Sequence, residues 1–162
     1  MKGFDEIIDG TTNEGRVGGT TAEVTSEAPK DSPTWGQRYT WENGLAVEVS
    51  APAACTPGQH ALPSNVARAV KLTVTVLNGT DQPFNAGMLS IGNDVQFDGR
   101  RAEAVYDANG PCGHGGVENV TVLPGKSYAY DMAFAVGAQP GELQIALQPD
   151  FRSDKAVFVG QA

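Results

Sequence analysis

The fold of this chain is decided by the stretch Ala69-Val70-Lys71-Leu72-Thr73-Val74-Thr75-Val76-Leu77-Asn78, which runs on into Gly79-Thr80-Asp81-Gln82-Pro83-Phe84. In its first part Leu72, Val74 and Val76 alternate with polar residues, and such side chains point to opposite faces of a β-strand. The Asn-Gly step and the proline that follow predict a chain reversal. A strand with one apolar face needs a sheet around it and a second layer on that face.

The rest of the chain supplies these partners. Alternating apolar residues predict strands at 45–49, 128–136 and 143–147, with shorter ones at 35–41, 88–91, 95–97, 101–106, 120–123 and 156–159. Turn signals recur about every 8 to 12 residues, as in a β-sandwich, and no long segment has helical periodicity. We therefore predict an all-β fold, an immunoglobulin-like sandwich of two antiparallel sheets.

A corner late in the chain supports this architecture. Val122, then Pro124-Gly125, then Tyr128 resembles the corner of immunoglobulin-like domains at which a tyrosine hydroxyl bonds back to the backbone. Pro124 and Gly125 are predicted to form the turn, and Tyr128 or Tyr130 to make that bond.

The first 33 residues differ from the rest in composition. They are rich in Gly, Thr and acidic residues and contain one aromatic residue, Phe4, so they cannot bury enough apolar surface to offset the entropy of ordering. We predict a disordered acidic linker at 1–33 and the sandwich domain at 34–162.

The sequence contains neither a stretch of ~18 apolar residues nor an apolar export segment after Met1-Lys2. If the protein is exported, we expect its signal or anchor to be absent from this chain.

The charge of the chain argues against a nucleic-acid partner. The formal net charge is −8, and the basic residues are scattered singly apart from Arg100-Arg101. Nucleic acids and anionic membranes bind clustered positive charge, which this sequence lacks. Because no strongly apolar stretch is left for an interface, we expect a monomer.

Four residues suited to binding a soft metal lie in two predicted loops, 51–67 and 107–116: Cys55 and His60 in the first, Cys112 and His114 in the second. A disulfide between the cysteines would close a loop of 57 residues (112 minus 55), which the chain-entropy estimate values at roughly 4 kcal/mol. Disulfides are typical of oxidising compartments, so two reduced thiols in a cytosolic protein are the alternative. A zinc or copper site made of all four residues is a third interpretation. We favour the disulfide, with both histidines exposed to solvent.

Two further groups of residues have a functional and a structural interpretation. Trp35, Tyr39 and Trp41 share one face and could stack on a sugar or peptide, but such stripes usually belong to the core. Oxygen ligands for calcium occur near predicted loops, but without the spacing of a calcium site, so we interpret them as a solvated acidic surface: Asp94, Asp98, Asp107 and Asn109. The sequence contains neither Gly-x-Ser-x-Gly nor His-Glu-x-x-His, so we expect no enzymatic activity and no cofactor.

Several motifs, in their order and spacing, carry a family resemblance: residues 35–40 (WGQRYT), 42–49 (ENGLAVEV), 74–80 (VTVLNGT), 83–84 (PF), 123–127 (LPGKS) and 134–136 (FAV). Over residues 34–160 the chain resembles the immunoprotective extracellular immunoglobulin-like domain family of actinobacterial lipoproteins and secreted antigens. The resemblance implies a secreted or cell-surface protein, with residues 1–33 corresponding to the linker that follows the anchor in family members. It implies no catalytic residues.

These observations predict a non-enzymatic binding or structural module outside the cell or at its surface, whose partner is a protein or a cell-wall component. The candidate contact surface is the pair of loops 51–67 and 107–116, with four polar residues as candidate contacts: His60, His114, Asp107 and Asn109. The alternative is a metal-binding or redox protein of the cell envelope that uses Cys55, His60, Cys112 and His114.

Overall fold

The computed structural model describes residues 32–89, 94–116 and 119–162, so nearly all of the predicted linker at 1–33 lies outside the described residues. Eleven strands occur in the described ranges: β1 Arg38–Thr40, β2 Leu45–Val49, β3 Ala53–Cys55, β4 Ala69–Asn78, β5 Phe84–Asn85, β6 Val95–Phe97, β7 Arg100–Arg101, β8 Thr121–Val122, β9 Ser127–Ala135, β10 Glu142–Leu147 and β11 Ala156–Gln161. None of these ranges contains a helix long and apolar enough to span a membrane.

The strand that opened the sequence analysis, β4, is the centre of the first sheet. This sheet has the order β9-β4-β2-β1, and β3 pairs with β4 beyond the end of β2. Val76 lies opposite Val47 on β2 and Tyr128 on β9, and both pairings are antiparallel. Strand β4 is therefore hydrogen-bonded on both sides, as its position in the middle of a sheet requires.

The second sheet has the order β11-β10-β6-β7, and a separate two-stranded ladder joins β5 to β8. Side chains from the two larger sheets form one core, in which Val74 and Phe134 of the first sheet and Ile145 and Phe158 of the second are fully buried. The predicted all-β, immunoglobulin-like two-sheet antiparallel sandwich is confirmed.

The aromatic stripe of the first strand belongs to this core, as predicted. Trp41 is buried, and Trp35 and Tyr39 pack against the core while staying half-buried. The indole Nε1 of Trp41 donates to the carbonyl of Asp154 at 2.7 Å, and that of Trp35 donates to the carbonyl of Gln161 at 3.0 Å. The indoles therefore fasten the start of the domain to its last strand and to the loop before it.

Three strand predictions need correction. The strand predicted at 101–106 is a strand only at Arg101, where β7 ends, and is followed by isolated bridges at Ala104 and Tyr106. Strand β3 lies within the predicted loop 51–67. Ala51 and Pro52 separate it from β2 and make the segment look like a loop. Beside this interruption, the hydroxyl of Ser50 accepts the N–H of Thr73 on β4 at 2.7 Å. The strand predicted at 88–91 is wrong at Met88, which ends a 3₁₀ helix, Ala86–Met88. The side chain of Asn85 caps this helix by accepting the N–H of Gly87 at 2.8 Å. Residues 90–93 lie outside the described residues.

The corner at 123–126 is held by Asn78, the last residue of β4. The turn itself is as the sequence suggests: the N–H of Lys126 donates to the carbonyl of Leu123 at 3.0 Å, and Gly125 has a φ of +77°. The side-chain amide of Asn78 donates to the carbonyls of Val122 and Gln82, both at 2.8 Å. Asn78 is buried, so its side chain replaces the water that these carbonyls would otherwise bind.

Tyr128 and Tyr130 follow this corner on β9. Their rings stack with centroids 6.1 Å apart and pack against the core. The bond from one of them back to the corner stays a prediction.

A second, smaller core lies on the outer face of the first sheet and positions the candidate site. Ala133 points to this face because it alternates with the inward-pointing Phe134. It is buried together with Ala61, Ala69, Val105 and Cys112. The loops 51–67 and 107–116 thus cover one end of the sheet instead of extending into solvent.

Candidate functional site

A disulfide joins the two loops. Cys55 ends β3 and Cys112 lies in the loop 107–116; their sulfurs are 2.11 Å apart and their Cα atoms 5.3 Å apart. Strand β3 places Cys55 opposite Ala69, at the first residue of β4. The predicted pairing of the cysteines is therefore present, and it anchors the second loop to the first sheet.

The carboxylate of Asp107 reinforces this connection. Its Oδ2 accepts the backbone N–H of Gly58 at 3.1 Å and that of Cys112 at 3.0 Å. Only 6% of Asp107 is exposed, so the interpretation of this residue as part of a solvated acidic surface is wrong. A carboxylate can be buried here because N–H groups from both loops converge on it and replace water. Gly110 lies so close that an added Cβ would overlap the carboxylate.

His114 is also buried, with 3% of its surface exposed, whereas His60 is exposed. The expectation that both histidines face solvent is thus wrong for His114. Its Nδ1 accepts the backbone N–H of Ala133 on β9 at 3.2 Å, and its ring centroid lies 4.9 Å from that of Tyr106. His114 is buried because the N–H of Ala133 is cut off from water by the loop and needs a protein acceptor, which the imidazole provides. His60 contacts the side chain of its neighbour Gln59 at 2.9 Å.

The metal alternative needs thiolates at Cys55 and Cys112, and in this structure both sulfurs are in the disulfide. Across residues 32–89, 94–116 and 119–162, no group of three or more His, Cys, Asp or Glu side chains could hold a metal ion. His114 uses its Nδ1 as the acceptor for the N–H of Ala133 on β9.

A groove of about 650 Å³ opens beside the bonded loops. Its lining residues come from the loop 51–67, from the end of β7 and from the segment after it: Leu62, Pro63, Arg101, Ala102, Glu103, Ala104 and Tyr106. Leu62 is 65% exposed and Tyr106 is 49% exposed, high values for large apolar side chains. Their backbones exchange two hydrogen bonds, of 3.0 and 2.7 Å, which connect the loop 51–67 to the residue that precedes the loop 107–116.

Sequence reasoning missed Leu62 and Tyr106. A signal was present, because Leu62 is a large apolar residue in a loop rich in Ala, Pro and Gly, and Tyr106 ends an alternating segment. Of the predicted contact residues, His60 and Asn109 are exposed, whereas Asp107 and His114 lie beneath the surface and support it.

The fold and this site together define a disulfide-bonded antiparallel β-sandwich with a groove of mixed polar and apolar lining beside its bonded loops. A scan against protein-family models finds no match for the chain, and a search of the curated proteins finds no similar sequence.

Solved structures do resemble it. A secreted protein from Mycobacterium tuberculosis, MPT63, has 16% sequence identity and a TM-score of 0.53, over 84% of this chain and 100% of that one. An uncharacterised β-sandwich protein from Clostridium difficile has 13% identity and a TM-score of 0.49, over 85% of this chain and 99% of that one. The YjhA protein from Bacillus subtilis has 11% identity and a TM-score of 0.49, over 70% and 79%. At such identity, the likeness to the mycobacterial protein shows a shared fold.

Proposed function

We propose that this protein is a non-enzymatic binding or structural module that acts outside the cell or at its surface, and that its bonded loops carry the contact surface. One observation carries the proposal: the disulfide between Cys55 and Cys112 fixes two loops next to a groove from which Leu62 and Tyr106 project. The partner is an extracellular protein or a cell-wall component, and the domain at 34–162 acts as a monomer on the linker at 1–33.

The compartment is supported by the disulfide. Such bonds persist in oxidising environments and are rare in the cytosol. A solved protein of the same fold is described as secreted, which agrees with this assignment. The family resemblance of the sequence motifs implies the same compartment.

The contact surface is supported by its rigidity and its exposed apolar side chains. A loop that is already ordered loses little conformational entropy when it binds, so more of the interaction energy becomes affinity. Here the disulfide and the Asp107 carboxylate join the two loops, and the bridge between Leu62 and Tyr106 connects the first loop to the residue that precedes the second. Exposed apolar patches beside polar residues are typical of protein–protein contacts.

The absence of catalysis is part of the proposal. The chain has two histidines: His114 accepts a backbone N–H and is buried, and His60 is an exposed residue whose ring contacts Gln59. Neither contact orients an imidazole to activate a nucleophile.

The test is photo-crosslinking from the groove. A benzophenone amino acid replaces Leu62, and in a matched control it replaces Leu123, which is 55% exposed. The control lies at the opposite end of β4, roughly 30 Å away for a ten-residue strand. Each protein is irradiated with intact cells of the organism that produces it. We expect a crosslinked surface component from position 62 only; equal crosslinking from both positions, or none from position 62, would overturn the proposal.

A further inference from the structure

The segment that lines the groove pairs with the first sheet on one side only. The N–H of Val105 donates to the carbonyl of Ala133 at 2.9 Å, and the N–H of Ala135 donates to the carbonyl of Glu103 at 2.8 Å. In an antiparallel ladder, when the residues before and after a given residue both hydrogen-bond to the partner strand, that residue points its own N–H and C=O away from the partner. The backbone of Ala104 therefore faces away from β9.

On that other side, the pairing stops after one residue pair. Leu62 pairs with Tyr106, and a continued antiparallel ladder would bring residue 64 opposite Ala104. The bridge is isolated, however, and nothing in the described ranges hydrogen-bonds to the N–H or the C=O of Ala104. Ala104 lines the groove, so this short edge of the sheet opens into it.

We propose that the groove binds an extended peptide segment of the partner by strand addition along Ala104. An unpaired edge accepts a peptide through main-chain hydrogen bonds, and pockets for alternate side chains give selectivity. Leu62 and Tyr106 supply the apolar contacts at one end of the edge. This inference rests on the proposed function and names the chemistry of its partner.

The groove lining contains one cation, Arg101, and one anion, Glu103. The preference for a basic peptide therefore comes from Glu103, which lies directly beside the open edge at Ala104, and from the charge of the whole chain. Glu103 is exposed beside Ala104, and its carboxylate has no cationic or hydrogen-bonding partner among the described residues. The whole chain carries a net charge of −8. A lysine or arginine paired across the edge from Glu103 adds a favourable cross-strand contact, and the field of the chain favours the approach of a cationic segment.

The experiment uses pooled synthetic peptides of about seven residues, enough to span the edge with a few residues to spare. Lysine or arginine alternates with randomised aliphatic and aromatic residues, and a matched pool carries aspartate or glutamate in place of the basic residues. The full chain is labelled with ¹⁵N, so that hydrogen exchange of the Ala104 amide can be followed. A captured peptide is then synthesised in two further versions, each with N-methyl groups on the backbone amides that point to one of its two edges. N-methylation removes the main-chain donors of that edge and keeps the side chains.

We expect the basic pool to bind, the Ala104 amide to exchange more slowly in the complex, and N-methylation on the pairing edge to abolish binding. Glu103→Lys should weaken binding of the basic peptide by about fivefold, while Glu42→Lys, an exposed glutamate elsewhere, should leave it unchanged.

Binding without protection of the Ala104 amide, or binding that survives N-methylation of either edge, would overturn strand addition. Binding of neither pool, or of the acidic pool alone, would overturn the basic peptide as the partner. In each case, crosslinking from position 62 shows whether the proposed function survives: a crosslink retained there leaves the function standing without this inference, and its loss removes both.

Discussion

The carboxylate of Asp107 accepts the backbone N–H of Gly58 at 3.1 Å, across 49 residues of sequence. The same oxygen accepts the N–H of Cys112 at 3.0 Å, next to the disulfide that joins the two loops covalently. The proposed contact surface is thus supported by one covalent bond and by one buried charge that binds both loops.

The first prediction concerns this carboxylate. Asp107→Ala should lower the free energy of unfolding by about 3 kcal/mol, because it leaves the buried N–H of Cys112 without its charged acceptor. Asp107→Asn keeps one oxygen and should lose less. The measurement is urea denaturation of the disulfide-bonded protein, with the exposed Asp81→Ala as control. Equal stability of the two alanine variants would contradict the structural role of Asp107.

The second prediction separates the two histidines. His114→Ala removes the acceptor for the N–H of Ala133 and the ring packed against Tyr106, and should cost about 3 kcal/mol of unfolding free energy. His60→Ala alters an exposed side chain and should cost almost nothing. Thermal unfolding of both variants provides the comparison, and a similar midpoint for the two would show that His114 does not bind the loop to the sheet.

The third prediction concerns the corner at the far end of β4. Asn78→Ala leaves the carbonyls of Val122 and Gln82 without the donor they share, and should destabilise the fold by about 3 kcal/mol. Asn109→Ala, at an exposed asparagine, is the matched control. Denaturation curves that coincide for the two variants would rule out Asn78 as the residue that holds the corner.

The fourth prediction is a titration. The backbone N–H of Arg152, together with the hydroxyl and N–H of Ser153, lowers the pKa of Asp150 from its ordinary value of 3.8. Because the pKa is lowered in the folded state, the stabilisation is present above pH 3.8 and is lost as the pH falls through the lower, folded-state value. Titration by NMR should give a midpoint below 3.8 in the folded protein and an ordinary one in urea. Ser153→Ala should raise the folded midpoint, and identical midpoints in both solvents would contradict the prediction.

The sandwich could be predicted from sequence because its strands have simple patterns. From Val70 to Val76 in β4, apolar and polar residues alternate without interruption, and an apolar face of that length must be covered by a second layer. Strand β3 could not be recognised, because its residues Ala53 to Cys55 lack any alternation of apolar and polar side chains. Its pairing with β4 depends on tertiary contacts.

The site was predicted in part. Two cysteines flanked by loop residues indicate a disulfide, and the structure has that bond. The burial of Asp107 and His114 could not be predicted, because their hydrogen-bond partners, Gly58 and Ala133, are distant in sequence and contribute only backbone groups. The groove was missed for the same reason, since the bridge between Leu62 and Tyr106 is formed by main-chain atoms of residues without a recognisable pairing motif.

The state of Cys55 and Cys112 is the most direct test of the central claim, that a disulfide fixes the two loops as a contact surface. Protein isolated from the organism that produces it is unfolded and alkylated, with and without prior reduction, and its intact mass is measured. The account predicts two alkyl groups per chain after reduction and none before it. Two alkyl groups without reduction would mean that the loops are not covalently joined in the native protein, and would contradict the account.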